Sequence, residues 1–331
     1  CYGSIFAKIA EGLPEAARDD ALGSRPFAAS WGGSRWTLTQ NGPLVPGSIL
    51  NRWSGATVTS NTNGGDDGLV FAALKVTGPV AGFHHYEYVL HNRDNARGVG
   101  ALRIPLCAGA RVRNLAFRDI DLDASNDWTA TVSASEIEFA TGAAPLRWNT
   151  LFNFSFDCDA APADGALSLA EFDAGPGLAQ FAVPAQTPLA LYNAYLGAGC
   201  AQGTPPTLYA LGSPARAALG NATFGVASSG NAASEVNFLY FGTQPGSMSL
   251  QGCTVWAGPS LAGLCFASAV LSDASGVATH PGAIPNDLAL EGASFRMQAV
   301  GRTPGQGVLF SSFELSDGLL VRLGNSIPGC P

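Results

Sequence analysis

Apolar residues recur along this chain with two different periods. Over residues 4–22 (SIFAKIAEGLPEAARDDAL) Ile5, Phe6, Ile9, Leu13 and Ala17 fall at helical spacing. That predicts a short helix, broken where Gly12 and Pro14 interrupt the ladder. A helix so short is marginal alone in water, so it docks either on its own fold as a lid or on a neighbouring copy as an arm.

From about residue 34 the period changes to two. SRWTLTQ (34–40), LVFAALKV (69–76) and HHYEYVLHN (84–92) alternate, and each is bounded by Gly, Pro, Asn or Asp. ALRIPL (101–106), ARVRNLAFRDIDLD (110–123), SEIEFAT (135–141), LRWNTLFNFSFD (146–157) and ALSLAEF (166–172) continue the pattern at spacings of about ten residues. Parallel strands would need helical crossovers, which the pattern lacks, so the rhythm predicts a sandwich of antiparallel sheets. Composition shifts near PAQTPLALYNAY (184–195), and beyond it come further short strands such as TLYALG (207–212), EVNFLYFG (235–242), LCFASAVLSD (264–273) and SFRMQAVG (294–301). The predicted fold is all-β. An N-terminal helical segment or arm (1–30) precedes two antiparallel β-sandwich domains, immunoglobulin-like or jelly-roll-like, over 31–188 and 189–331.

Composition supports this division. Helical ladders do not tolerate 41 glycines and 21 prolines in 331 residues, whereas turn-dense β-structure does. With 47% hydrophobic and 13% charged residues the chain can bury enough apolar surface to fold. The formal charge is −8 and Lys8 and Lys75 are the lysines, so no cationic surface is available for a phosphate backbone. Every long apolar run is interrupted by Gly, Pro or charge, which argues against a membrane-spanning helix.

Seven cysteines stand at positions 1, 107, 158, 200, 253, 265 and 330, without zinc or haem spacing. Disulfides in an oxidising, extracellular compartment are the better reading. Domain membership predicts Cys107–Cys158 in the first half. In the second it predicts Cys253–Cys265 as a local clasp and Cys200–Cys330 as a tie, with Cys200–Cys253 as the alternative. Cys1 has the chemistry of an acylated lipoprotein N-terminus, and a cut fragment or an odd disulfide partner explains it as simply.

The stretches YLGAGC (195–200), FLYFGTQPGSMSLQGCTVW (238–256) and SDASGVATHPGAIPNDLALEGASFRMQAV (272–300) resemble a C-terminal β-module of large secreted proteins of environmental bacteria. YEYVLHNRDNARGVGALRIPLCAGARVRNLAFRDID (86–121) with LRWNTLFNFSF (146–156) is similar to a second module of such proteins. The resemblance implies a non-catalytic, secreted β-protein and brings no active-site motif.

Candidate chemistry is sparse. His85, Glu87 and His91 share one face of a strand, opposite His84, Tyr86, Tyr88 and Leu90, but His91 lies about 13 Å from Glu87 at ~3.3 Å per residue, too far for one ion. Asp119, Asp121 and Asp123, with Asn126 and Asp127 following, offer the oxygens of a structural calcium site, although Ala124 and Ala130 stand where an EF-hand needs Gly and Glu. Asn61, Asn63, Asp66 and Asp67 form a weaker second set, equally readable as a glycine turn. No window matches G-x-S-x-G; the nearest, Gly258 to Ala262 around Ser260, ends in Ala. No Gly-rich phosphate loop precedes a helix. Of the six tryptophans, Trp128 and Trp148 fall in well-patterned strands and are expected in the core, while Trp31 and Trp53 beside glycines are expected nearer the surface, where flat rings suit a sugar face.

The expectation is an extracellular structural or adhesive protein that assembles with copies of itself or neighbouring surface proteins, as a filament or surface layer. The alternative is a carbohydrate-binding accessory region of a secreted glycoside-active enzyme, with glycans as partners.

Overall fold

The computed structural model describes residues 2–6, 18, 21–64, 68–119, 121 and 123–325. Within them the fold is all-β, and the paired strands run antiparallel. Short 3-10 turns occur at Ile49–Arg52, Leu261–Gly263 and Leu288–Leu290.

The chain opens with β1 (Tyr2–Phe6), β2 (Leu22–Trp31), β3 (Trp36–Gln40) and β4 (Val45–Pro46). β1 and β4 pair with the first half of β2, and β3 pairs with its second half. The predicted helix over 4–22 is therefore corrected in its first part. Residues 4–6 are strand, because Leu22–Pro26 offers a ladder whereas Gly12 and Pro14 leave a helix too short to stand alone. Ile9 and Leu13 lie outside the described residues.

Ten strands follow: β5 (Thr57–Thr62), β6 (Leu69–Val80), β7 (Phe83–Asn92), β8 (Val99–Pro105), β9 (Val112–Arg118), β10 (Thr129–Val132), β11 (Glu136–Ala140), β12 (Thr150–Cys158), β13 (Ala161–Glu171) and β14 (Gln180–Ala190). They form two five-stranded sheets, β5-β6-β7-β12-β9 and β10-β11-β8-β13-β14. Alternation decides which side chains meet. Tyr86, Tyr88 and Leu90 of β7 and Phe152, Phe154 and Phe156 of β12 point at Leu102, Ile104, Ile137, Phe139, Leu167 and Leu169 of the opposite sheet in one buried cluster. Burying each such side chain stabilises the fold by roughly 1.5–3 kcal/mol before ordering costs. The two buried phenols are satisfied: Tyr86 donates to the Ala160 carbonyl and Tyr88 to that of Gln186, both at 2.8 Å.

The remaining strands are β15 (Asn193–Gly197), β16 (Thr207–Leu211), β17 (Gly225–Ser229), β18 (Val236–Gly242), β19 (Met248–Leu250), β20 (Cys253–Val255), β21 (Cys265–Leu271), β22 (Ala278–Pro281), β23 (Ser294–Arg302) and β24 (Phe313–Arg322). A five-stranded sheet runs β15-β24-β23-β18-β21, a three-stranded sheet β16-β17-β22, and β19 pairs with β20. Leu239 of β18 packs with Phe224, which precedes β17, and with Val226 of β17 between the two sheets. The other face of the larger sheet, with Val300 and Leu315, meets Val255 of the small hairpin in a separate cluster.

Arg111 joins the earlier strands to the later ones. It bonds Asp159 at 2.8 Å and Asp317 at 3.1 Å, and its guanidinium lies 5.1 Å from the Phe83 ring centroid and 4.6 Å from that of Tyr195. Next to it the β6–β7 turn closes on β16. A Cβ at Gly82, whose φ is +79°, would sit 2.7 Å from that of Tyr209, so the approach requires glycine.

The disulfides correct three expectations. Cys200 is bonded to Cys253, with their Cα atoms 5.6 Å apart, which is the alternative pairing rather than the clasp or the tie. Cys253 is thereby unavailable to Cys265, a free and exposed thiol, and Cys330 lies outside the described residues. Cys158 is free and buried, while Cys107 is disulfide-bonded, so the predicted Cys107–Cys158 bond is absent. Sharing a core does not decide pairing: the Cys107 sulfur is already committed to another bond and is not available to Cys158. The Cys158 sulfur instead accepts the Ala160 N–H at 3.4 Å.

Candidate functional site

Among the described residues, those with candidate chemistry are not brought together. Asp119 accepts the N–H of Asp121, Asp121 that of Asp123 at 2.7 Å, and Asp123 that of Ser125, a chain of Asx turns at the surface. The Ser125 hydroxyl also bonds Asp123 and holds its carboxyl below the usual range. Among the described residues no three His, Cys, Asp or Glu side chains gather as a metal-holding group. Asn63 is engaged with Glu171 at 2.6 Å, Asn61 bonds the Ala182 carbonyl, and Asp66 and Asp67 lie outside the described residues.

Along β7, His85, Glu87 and His91 each have their own partner. His85 bonds Asp157 at 2.8 Å, Glu87 accepts from Asn153 at 2.9 Å, and buried His91 meets the Ser48 hydroxyl at 3.1 Å. Burial pushes His91 down from its ordinary value. His280 is also buried, joins β22 to β21 through the Ser268 hydroxyl at 2.7 Å, and is pushed down to about 4 by burial.

The tryptophans divide differently from expectation. Trp128 is core, stacked on Phe117 at 5.9 Å and donating to the Ala144 carbonyl, but Trp148 is partly exposed. Trp53 is half-buried against the cluster around Leu50 and Val89. Trp31 is exposed, and so is Trp36.

These last two mark an unusual element. Beyond Phe27, β2 and β3 form a hairpin in which every residue from Ala28 to Pro46 is exposed. Its turn spans Gly32–Arg35, closed by the Gly32 N–H on the Arg35 carbonyl at 3.0 Å, with Gly33 at φ +91° where side chains are strained. The root is fixed: Leu22 is buried against Phe71, and Arg52 grips the Ser24 hydroxyl at 2.8 Å and its carbonyl at 3.0 Å. The pairing Ala29↔Leu38 and Trp31↔Trp36 puts Ala29, Trp31, Trp36 and Leu38 on one face and Ala28, Ser30, Thr37 and Thr39 on the other. Such alternation is the pattern of a half-buried strand, yet Trp31, Trp36 and Leu38 are 55%, 63% and 59% exposed. A two-stranded hairpin alone is marginal in water.

A second uncovered element lies at the edge of the larger sheet of the later strands. Among the described strands β21 pairs with β18 alone. Its register shifts at Ala267, leaving Ser268–Leu271 as a regular, unpaired edge. Phe266 and Leu271 are 56% and 64% exposed. Phe266 packs on Tyr240 at 5.8 Å, and from there an apolar groove of about 410 Å³ continues over Phe238, Val300 and Leu315 to the rim residues Leu261 and Phe310. Phe310, itself exposed, is held at φ +49°, a strained conformation for a bulky residue.

Sequence reading missed both elements. Trp36–Gln40 reads as one strand of a sandwich, and nothing local says that its apolar face is left bare. The available signal was charge: from Pro26 to Asn51 the single charged residue is Arg35, and from Val236 to Ser272 there is none.

No protein family matches the sequence. No curated protein matches it either. Among solved structures, a variant of the major pilin subunit of Bacillus cereus aligns over 91% of this chain and 77% of its own, at a TM-score of 0.25 and 8% identity. That likeness is too loose to carry the pilin's fold or role to this chain.

Proposed function

We propose that this chain is an extracellular structural or adhesive protein, two antiparallel β-sandwiches in tandem, whose work is association with further copies of itself or with neighbouring surface proteins. The observation that carries the reading is the hairpin over residues 27–41, patterned for burial and left exposed along its apolar face. Exposed apolar patches on a soluble protein mark interaction surfaces, and tryptophan is the residue most enriched at their energetic centres. The Cys200–Cys253 bond fits an oxidising compartment, and the similarity to modules of secreted bacterial proteins fits the same location. The reading assigns no catalytic step.

Multi-angle light scattering of the full chain over a hundredfold range of concentration, with negative-stain electron microscopy at the top of the range, tests it. Mass that grows with concentration and ordered filaments or sheets are expected. A chain that stays monomeric throughout removes self-association.

The carbohydrate-binding alternative draws on the same tryptophans. Their ring planes are inclined by 54° at 5.4 Å, so they form no common flat platform for a pyranose face, and a glycan array without binders ends it.

A further inference from the structure

We propose that β3 of one copy adds to the free edge of β21 in a second copy, antiparallel, so that the hairpin becomes two further strands of the larger sheet. The inference rests on the self-association reading and names its contact.

An unpaired strand edge presents a row of N–H and C=O groups whose natural occupant is another extended chain. Proteins usually protect such an edge with charge or proline, and Ser268–Leu271 carries neither. Edges among β5–β14 are better covered: Thr59 and Asn61 of β5 donate across to the Pro184 and Ala182 carbonyls of β14. β3 is a matching free edge, paired with β2 alone among the described strands and equally uncharged.

Charge fixes the direction. Arg35 immediately precedes β3, and Asp273 follows β21 by two residues. Antiparallel pairing brings them to the same end, whereas parallel pairing places Arg35 at the neutral Cys265 end. The pleat then fixes the register. Trp36 opposite Leu271 and Leu38 opposite Ala269 put the hairpin's apolar face on the side of Phe266, Phe238 and the groove, and leave Thr37 and Thr39 on the side of Val270 and Ser268. A slip by one residue would turn the tryptophans to the other face. The two edges are different surfaces of one chain, so the contact is heterologous and each docked copy offers a fresh edge to the next.

The test uses full-length chains carrying a lysine at an exposed position of one edge or the other, Leu38→Lys and Ala269→Lys. Each variant alone should lose the high-mass species. A 1:1 mixture should form a dimer that grows no further, since one intact hairpin meets one intact edge, and that dimer also shows both variants to be folded. In a Cys265→Ser background, mixing Thr39→Cys with Ser268→Cys chains in the presence of oxidised glutathione should give an intermolecular disulfide, and mixing Thr39→Cys with Leu271→Cys should not. Undiminished assembly of both lysine variants overturns the strand pairing while self-association stands. A monomeric unmodified chain overturns both.

Discussion

Replacing Asp317 with Asn should change how stability depends on pH, in a direction the structure dictates. Asp317 is nearly buried where the later strands meet the earlier ones. It accepts the Leu208 N–H and bonds Arg111, which is shared with Asp159. Burial raises its carboxyl from the ordinary 3.8 to about 6, and the Asp159 charge adds to this, against the pull of the Leu208 N–H and Arg111. Because the folded value is the higher one, the folded chain takes up the proton first on acidification. The stability tied to this group is fully present below about pH 3.8 and is lost as pH rises through about 6. At about 1.4 kcal/mol per pH unit, the gap corresponds to roughly 3 kcal/mol. Asn keeps the acceptor for Leu208 and cannot ionise, so Asp317→Asn should gain on the unmodified chain by up to roughly 3 kcal/mol between pH 4 and pH 7. Urea unfolding of both chains at half-unit steps from pH 3.5 to 7.5 measures the difference and cancels the other carboxylates. A difference that is flat with pH, or one that moves in favour of Asp317 as pH rises, refutes the argument.

Three further outcomes follow from the packing. Of the two free cysteines among the described residues, a thiol reagent should modify Cys265 rapidly in the native chain, read by peptide mapping, whereas Cys158 is buried and pushed up to about 12 by that burial and should react only on unfolding. Replacing Cys200 and Cys253 together with Ala should lower stability by about 4 kcal/mol in the chain-entropy model for their 53-residue separation, read by urea denaturation, and an unchanged midpoint would count against the bond. Phe154→Ala, at the centre of the ring cluster with Phe117, Trp128 and Phe139, should cost about 3–5 kcal/mol, and a loss below 1 kcal/mol in the same assay would show that the site collapses freely.

The strands were legible because both faces of each ladder follow from local alternation. HHYEYVLHN sends Tyr86, Tyr88 and Leu90 inward, and LRWNTLFNFSFD does the same with Phe152, Phe154 and Phe156, as the period of two requires. What alternation cannot report is distance through space. Cys107 and Cys158 fall in one core and still do not bond, and Trp148 lies beside a well-patterned strand yet reaches the surface. The first residues show a different limit: Ile5 and Phe6 fit a helical spacing, but the strand that claims them, Leu22–Pro26, follows more than a dozen residues later.

The hairpin exposes the deeper reason. A run such as Trp36-Thr-Leu-Thr-Gln40 states that one face is meant to be covered, and it states this identically whether the cover belongs to the same chain or to another. Within one chain the cover can be looked for in the fold, and for Trp31, Trp36 and Leu38 the fold leaves them open. The same subtraction picks out Phe266 and Leu271 at the β21 edge, where an uncharged strand and an apolar face again stand open together. Burial patterning minus observed burial is thus the quantity that separates an open apolar face from a core. Here the residue of that subtraction is two strands of matching chemistry, one flanked by Arg35 and the other by Asp273, whose pairing would satisfy both open edges.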